Sequence, residues 1–409
     1  MHNIKPQIRF STLVLALISL SACNAAPKGD YYYNGVSYAP YEEKTPDASS
    51  MEPDVSNEGS SERPVIRPGQ LTCSAIDDNA KYDSWLNLNG LKNQENNVFS
   101  SYMREYGKYF RTYNRVKLTV KNGNDISVKV KGETNKYYVD NTETAYLFPR
   151  ISKEEYEVEI SYLDKNGERA SYSTTVKDND VIDLENDFTL SNRLEIMFVV
   201  DATGSMGDEM NYIKSEIIDV LSEVKQKNPD SSINLAMMVY RDKEDTYLTR
   251  YSDFTSDIEA QQAWFAKQEA AGGGDLPEAV EVAMAEAVNA QWSDNSTKLI
   301  IHVADAPSHE KDILEWSEQA YKAADKGIKI ITVSGSGVTK QAEYLFRSQS
   351  LLTGGQYVFL TDDSGIGNSH IEASTEEPLV VEYLNDCLVR LINGYATGDF
   401  RDPVHWSQA

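Results

Sequence analysis

Five oxygen-bearing side chains stand where this sequence of 409 residues could do chemistry. Asp201, Thr203 and Ser205 alternate in "VVDATGSMGDEM", where a long apolar run ends. Asp275 follows the triple glycine of "AAGGGDLPEAVEVAM", and Asp305 closes the apolar run of "KLIIHVADAPSHE". All five offer hard oxygen atoms, and no Cys or His stands at metal-ligand spacing. Such a set points to Mg²⁺, Mn²⁺ or Ca²⁺ rather than to zinc or copper. Asp275 also fits a helix N-cap, with Pro277 in the first turn and Glu278 at the third helical position; capping and ligation are not exclusive. Asp208 and Glu209 complement a helix N-terminus, and Arg241 with Asp242 reads as a turn pair. An enzyme needs a positioned nucleophile or base beside its metal. The sequence has no HExxH, no GxxxxGK and no Gly-x-Ser-x-Gly. His302 falls inside an apolar strand, and His309, four residues after Asp305, is the one candidate for base chemistry. No catalytic residue is assigned.

The elements that must position these residues begin at about Asn192. Strands are expected at "LEIMFVV", "INLAMMVY", a short "TYLTRY", "KLIIHVA", "IKIITVS" and "QYVFL". Amphipathic helices lie between them, for example from Asp208 to Val224 and from Pro277 to Val288. Apolar strands without alternation imply a sheet covered by helices on both faces, hence a doubly wound, mostly parallel α/β domain over residues 191–396. Right-handed crossovers bring every loop after a parallel strand to one edge, and ligands bind there where strand order reverses. Asp201 and Asp305 end the two strands beside that reversal, so the five residues converge without sequence adjacency. Asp362, Asp363 and His370 leave the last strand on the same edge; they could shape a ligand surface, though a solvated loop is the simpler reading.

Residues 114–190 change character. "RVKLTVKNG", "DISVKVKG" and "YEVEISYLDKNG" are short β-rich runs with Gly turns, the pattern of a small antiparallel sandwich. The segment resembles transthyretin-like modules of bacterial surface proteins and carries no catalytic constellation, so a spacer or docking module is expected. Before it, residues 72–113 form a short ordered segment through Tyr82, Trp85 and Leu86. Residues 397–409 are a tail.

The chain starts with an address rather than a fold. Lys5 and Arg9 precede "LVLALISL", an apolar core too short to span a membrane and typical of a signal peptide over residues 1–22. Leu20-Ser21-Ala22-Cys23 resembles a bacterial lipobox, which implies a diacylglycerol on Cys23. Asn24, where an Asp would resemble inner-membrane retention, favours the outer membrane of the cell envelope. Residues 23–71, as in "TPDASSMEPDVSNEGSSERP", read as a disordered tether. In an exported protein Cys73 and Cys387 can pair, while the apolar face of "YLNDCLVRLI" equally suits Cys387 as a buried small residue. The formal charge of −25 argues against nucleic acid. It suits divalent cations or basic partners, or solubility alone.

Four motifs in order, "DATGSMGDEM", "VYRDKED", "GGGDLPEA" and "ADAPSHE", carry a family resemblance. From about 192 to 396 the chain resembles von Willebrand factor A domains, in the branch of hemicentins and of domains beside alpha-kinases. That family's metal-ion-dependent adhesion site reads Asp-x-Ser-x-Ser, then Thr, then Asp. Asp201, Thr203 and Ser205 match the first motif with Thr for the first Ser, Asp305 matches the last, and Asp275 stands where many relatives carry the Thr. The resemblance implies a divalent cation at these five positions and one open coordination place for an acidic side chain of a protein partner. The extra carboxylate of Asp275 leaves the loaded site about one charge negative, which favours the metal and attracts a partner carboxylate less. The function implied is metal-dependent protein binding at the envelope. A metal-assisted hydrolase in the same crevice and a metal-independent assembly or signalling scaffold are the alternatives.

Overall fold

The computed structural model describes residues 66–92, 97–187, 189–274 and 276–409. The expected signal peptide, the expected lipidation site Cys23, most of the expected tether and Asp275, one of the five expected ligands, lie outside the described residues. Among those described, no helix is long and apolar enough to cross a membrane.

The described chain opens with β1 (Thr72–Ile76), α1 (Tyr82–Leu88) and α2 (Ser100–Phe110). Short strands follow: β2 (Val116–Lys121), β3 (Asn124–Val130), β4 (Lys136–Tyr138), β5 (Thr144–Leu147), β6 (Tyr156–Leu163), β7 (Arg169–Val176) and β8 (Asp180–Asp183). Then come β9 (Arg193–Asp201), α3 (Met210–Lys227), β10 (Ser232–Tyr240), β11 (Thr249–Thr255), α4 (Ile258–Phe265) and α5 (Val280–Asn289). The chain continues through β12 (Thr297–Ala304), α6 (Ile313–Asp325), β13 (Ile328–Ser334) and α7 (Lys340–Thr353). It ends with β14 (Tyr357–Leu360), β15 (Glu382–Tyr383) and α8 (Leu384–Thr397).

The described residues form an eight-stranded sheet in the order β11-β10-β9-β12-β13-β14-β1-β15. The run from β10 to β14 is parallel, and β11 and β1 are antiparallel to their neighbours. β9 explains why its run shows no alternation. Ile196, Phe198 and Val200 pack with Ile213, Ile217 and Leu388 on one face, while Met197 and Val199 join Met284 and Trp316 on the other. Helices therefore cover both sides, as in a doubly wound α/β fold. Strand order reverses at β9, which has β10 on one side and β12 on the other.

Two expected boundaries move. Residues 72–113 are part of the α/β unit: in β1, Cys73 pairs with both Leu360 and Glu382. Order begins before residue 72, inside the expected tether, because the buried Glu216 of α3 accepts the amides of Gly69, Gln70 and Leu71 at 2.8, 2.9 and 3.0 Å. Arg347 of α7 is buried as well, donating to Asp78 at 2.9 and 2.6 Å and to Glu343 at 3.0 Å. Trp85 stacks on Tyr344 at 5.8 Å. A five-residue strand whose partners lie at the far end of the chain leaves no periodic signal to read. The tail also folds back, with Phe400 against Tyr395 at 4.8 Å and the Trp406 amide donating to the Val381 carbonyl at 2.9 Å.

The insert between α2 and β9 holds two sheets, β5-β2-β8 and β4-β3-β6-β7. Its pairing is antiparallel except that β8 runs parallel to β2, a departure from the expected all-antiparallel arrangement. Leu118, Val128 and Ile160 belong to the same apolar cluster as Ile300 and Trp316. Polar contacts fix it further: the Lys136 amide donates to Asp325 at 3.0 Å, and Asn141 Nδ2 donates to the Tyr395 and Ala396 carbonyls at 2.9 Å each. The insert is fused to the α/β unit rather than strung beside it.

Candidate functional site

The central strand β9 delivers Asp201, fully buried, to the edge where strand order reverses. The chain then turns sharply, and Thr203 donates to Asp201 Oδ1 twice, from its amide at 2.9 Å and its hydroxyl at 2.7 Å. Thr203 Oγ1 lies 3.2 Å from Ser205 Oγ, and Ser205 faces Asp305, just beyond β12, where it favours the charged carboxylate. Four of the five expected residues thus meet in one crevice. Asp201 Oδ2 and Asp305 Oδ1 are both buried there without a hydrogen-bond partner. Burial raises both carboxyls above their ordinary range, Asp201 further through the charge of Asp305. Two carboxylates in a dry crevice without a counter-ion favour a proton or a bound cation. Among the described residues, no three His, Cys, Asp or Glu side chains are placed to hold an ion by themselves, so a cation here needs the two hydroxyls as well.

The glycine-rich loop lies alongside. Ala271 donates its amide to the Ala202 carbonyl at 3.0 Å, and Gly204 donates to the Gly272 carbonyl at 2.9 Å. Gly272 has a φ of +83°, and a Cβ there would stand 2.1 Å from Asp245 Oδ1, so only glycine fits. Asp245 in turn accepts the Gly273 amide at 2.9 Å. Arg241 is more than half of a turn pair. Its Nε donates to the Ala202 carbonyl at 3.0 Å and Nη2 to the Glu269 carbonyl at 2.8 Å, clamping the two loops together. Asp242 holds Nε2 of His309, the imidazole read as the candidate base, at 2.8 Å.

Glu278 is the residue that sequence reading missed. α5 begins at Val280, not Pro277, so Glu278 precedes the helix and closes no capping box. Its amide instead donates to the Pro307 carbonyl at 2.9 Å, beside the Asp305 loop. The side chain is 2 % exposed, with Oε2 lacking a hydrogen-bond partner. Burial first, then the charges of Asp201, Asp242 and Asp305, push its carboxyl up to about 9. The nearby Lys243 is already engaged by Glu281 at 2.7 Å and Asp312 at 2.5 Å. No sequence pattern announces this role, which rests on the isolated bridge between Glu278 and Ser308.

A buried polar chain backs Asp201. Trp316 Nε1 donates to Gln349 Oε1 at 2.6 Å, which turns the amide nitrogen of Gln349 toward His302 Nδ1 at 3.2 Å. His302 Nε2 then carries the ring proton and donates to Tyr240 Oη at 3.1 Å, freeing the tyrosine proton to favour ionised Asp201. Burial lowers the His302 pKa to about 3, so the ring stays neutral. Asp208 and Glu209 do more than complement a helix end. Asp208 Oδ2 accepts the Asn368 amide at 2.7 Å, and the buried Glu209 accepts the Ser336 amide at 3.1 Å and His370 Nε2 at 2.7 Å. The loop expected to be solvated is therefore pinned: His370, its side chain 3 % exposed, is held between Glu209 and Asp362. Asp363 remains exposed.

Comparison with known proteins follows the geometry. Residues 195–366, within the doubly wound α/β part of the chain, match the family model of the von Willebrand factor type A domain. The chain is 30 % identical over 174 residues (42 % of this chain, 28 % of the relative) to the alpha-protein kinase vwkA of Dictyostelium discoideum. It is 26 % identical over 185 residues (41 % of this chain, 18 % of the relative) to the ariadne-like RING finger protein R811 of Acanthamoeba polyphaga mimivirus. The chain thus spans less than a third of the length of these curated relatives. Among solved structures, BatB of Bacteroides thetaiotaomicron is similar at 16 % identity and a TM-score of 0.36, over 50 % of this chain and 98 % of that one. An aerotolerance-related membrane protein of Bacteroides fragilis gives 14 % identity and a TM-score of 0.32, over 49 % and 98 %.

Proposed function

We propose that this protein is a lipid-anchored envelope protein that binds a protein partner through a divalent cation held at Asp201, Thr203, Ser205, Asp305 and Asp275. One observation carries the reading: Asp201 Oδ2 and Asp305 Oδ1 are buried and unpartnered in the crevice that also holds the Thr203–Ser205 hydroxyl pair. Buried polar atoms are otherwise almost always satisfied. The donor set is all oxygen, which suits Mg²⁺, Mn²⁺ or Ca²⁺. When bound, such a cation offers a ligand position to an oxygen of the partner. Thr203 and Ser205 orient the carboxylates, Arg241 keeps the glycine loop against them, and the Tyr240–His302 chain steadies Asp201 from behind.

Glu278 and Asp275 bear on the partner. Asp275 as a third ligand carboxylate would add negative charge, so a partner's acidic side chain is drawn less than in a site with two Asp alone, while Glu278, its carboxyl pushed up to about 9, stands beside the site as a neutral proton carrier. A backbone or side-chain carbonyl suits the position better. Against hydrolysis stands His302, which is neutral and walled in. The anchor on Cys23 rests on the lipobox alone. A pull-down from detergent-solubilised envelopes, with Mg²⁺ or with EDTA, tests the proposal. A partner retained with the metal and lost with the chelator supports it; a partner retained equally in both points to a scaffold that does not use the metal.

A further inference from the structure

Two thiols meet where the described chain enters the fold. Cys73 is the second residue of β1 and Cys387 lies in the first turn of α8; both are fully buried and free. The two thiols lie close enough to act on one another's ionisation, and both belong to the same buried apolar cluster. The surrounding frame is held on both sides. Leu384 donates its amide to the Leu71 carbonyl at 2.8 Å, and Cys73 pairs with Glu382 across β15. The Glu382 carboxylate grips Arg390 at 3.0 and 2.5 Å, and Arg390 Nη2 reaches Cys387 Sγ at 3.7 Å. A strand and a helix fixed in this way leave their thiols no other thiol partner among the described residues.

We propose that Cys73 and Cys387 are an oxidation site, forming a disulfide that cross-links the first strand of the fold to its last helix. In the reaction one sulfur–sulfur bond forms as both thiols give up their protons and, together, two electrons. A donor disulfide, oxidised glutathione or an oxidised dithiol protein, accepts them as its own sulfur–sulfur bond breaks to two thiols. The inference is independent of the metal site.

The surroundings say when this happens. Burial, then the contact with Cys387, pushes the Cys73 thiol well above its ordinary range, which starves it of the thiolate that attacks a disulfide. The bond therefore forms while β1 is still undocked, and once made it is shielded from reductant. Its position gives it a mechanical use. Any pull on the chain ahead of residue 66 arrives at Gly69–Cys73, where Glu216 and the β1 pairings are the noncovalent holds. The cross-link passes that tension to α8, which is packed across the sheet face.

The test uses the full chain, folded in a mixture of reduced and oxidised glutathione, then alkylated in denaturant without reduction and mapped by mass spectrometry. The expected result is one linked peptide pair joining Cys73 to Cys387. Oxidised protein should also melt about 3–6 °C above reduced protein, the shift a typical disulfide gives a unit of this size. A Cys73→Ser, Cys387→Ser double variant should show no response to reductant. Alkylated Cys73 and Cys387, or either joined to Cys23, would overturn the inference. The peptide map is made on the natural sequence, so it decides even if the variant fails to fold.

Discussion

Residue types at strand ends were the readable part of the site. Asp201, Thr203, Ser205 and Asp305 could be found because each follows an apolar run directly, and parallel strands deliver their ends to one edge. Glu278 and Arg241 could not, since their roles depend on loops folding back across that edge, and Tyr240 could not because its link to His302 passes between β10 and β12, which are not adjacent in the sheet. Tyr240 gives a sharp test. Replacing it with Phe removes the hydroxyl that favours ionised Asp201 while keeping the ring, and a bias of about 1.4 kcal/mol toward the charged form corresponds to one pKa unit, about tenfold. Metal affinity should drop about tenfold or more in Tyr240→Phe; an unchanged affinity would make the hydroxyl a space-filler. His302 makes a separate prediction about stability. Its folded pKa of about 3 lies below its ordinary 6.5, so between those values the unfolded chain binds the extra proton. Stability is whole above that window and falls by about 1.4 kcal/mol per pH unit as pH drops through it. Urea denaturation of His302→Gln should show a pH slope shallower by roughly that amount, and an identical slope would contradict the burial argument.

The elements from β9 to β14 were legible because long apolar strands and amphipathic helices announce themselves by period. β1 was not. Its five residues carry no period of their own, and its neighbours β14 and β15 lie near the other end of the chain. What fixes it is polar and specific: Glu216, a buried carboxylate in the middle of α3, takes three amides of the incoming segment. An Ala at that position leaves those donors unsatisfied, and each buried orphan costs about 1–3 kcal/mol where solvent cannot replace the lost partner. Since two of the three bonds are only partly buried, a total loss of about 2–4 kcal/mol is expected for Glu216→Ala. Hydrogen exchange should then speed up in residues 69–76 before it does in β9 or β12. Uniform acceleration across the sheet would mean that β1 unfolds only with the whole unit.

At the scale of the molecule, the sandwich was expected as a separate bead, yet its core runs into that of the α/β unit. Separate patterns in sequence do not report whether two apolar clusters merge, because the joining contacts come from side chains such as Tyr137 and Tyr321 that serve both parts. A cation bound at the crevice should therefore stabilise the described unit as one body. At a free concentration one hundred times the dissociation constant it adds about 2.7 kcal/mol, because it binds the folded state alone. EDTA should lower the melting temperature of the purified protein, with a single transition before and after. The most direct measurement of the central claim is titration calorimetry with Mg²⁺ and Mn²⁺ on the natural protein and on Asp201→Ala. The account predicts one cation per chain for the natural sequence and no uptake by the variant, whose neighbouring hydroxyls cannot replace the lost charge. Equal uptake by both proteins would contradict it, and with it the use of this crevice as the binding site.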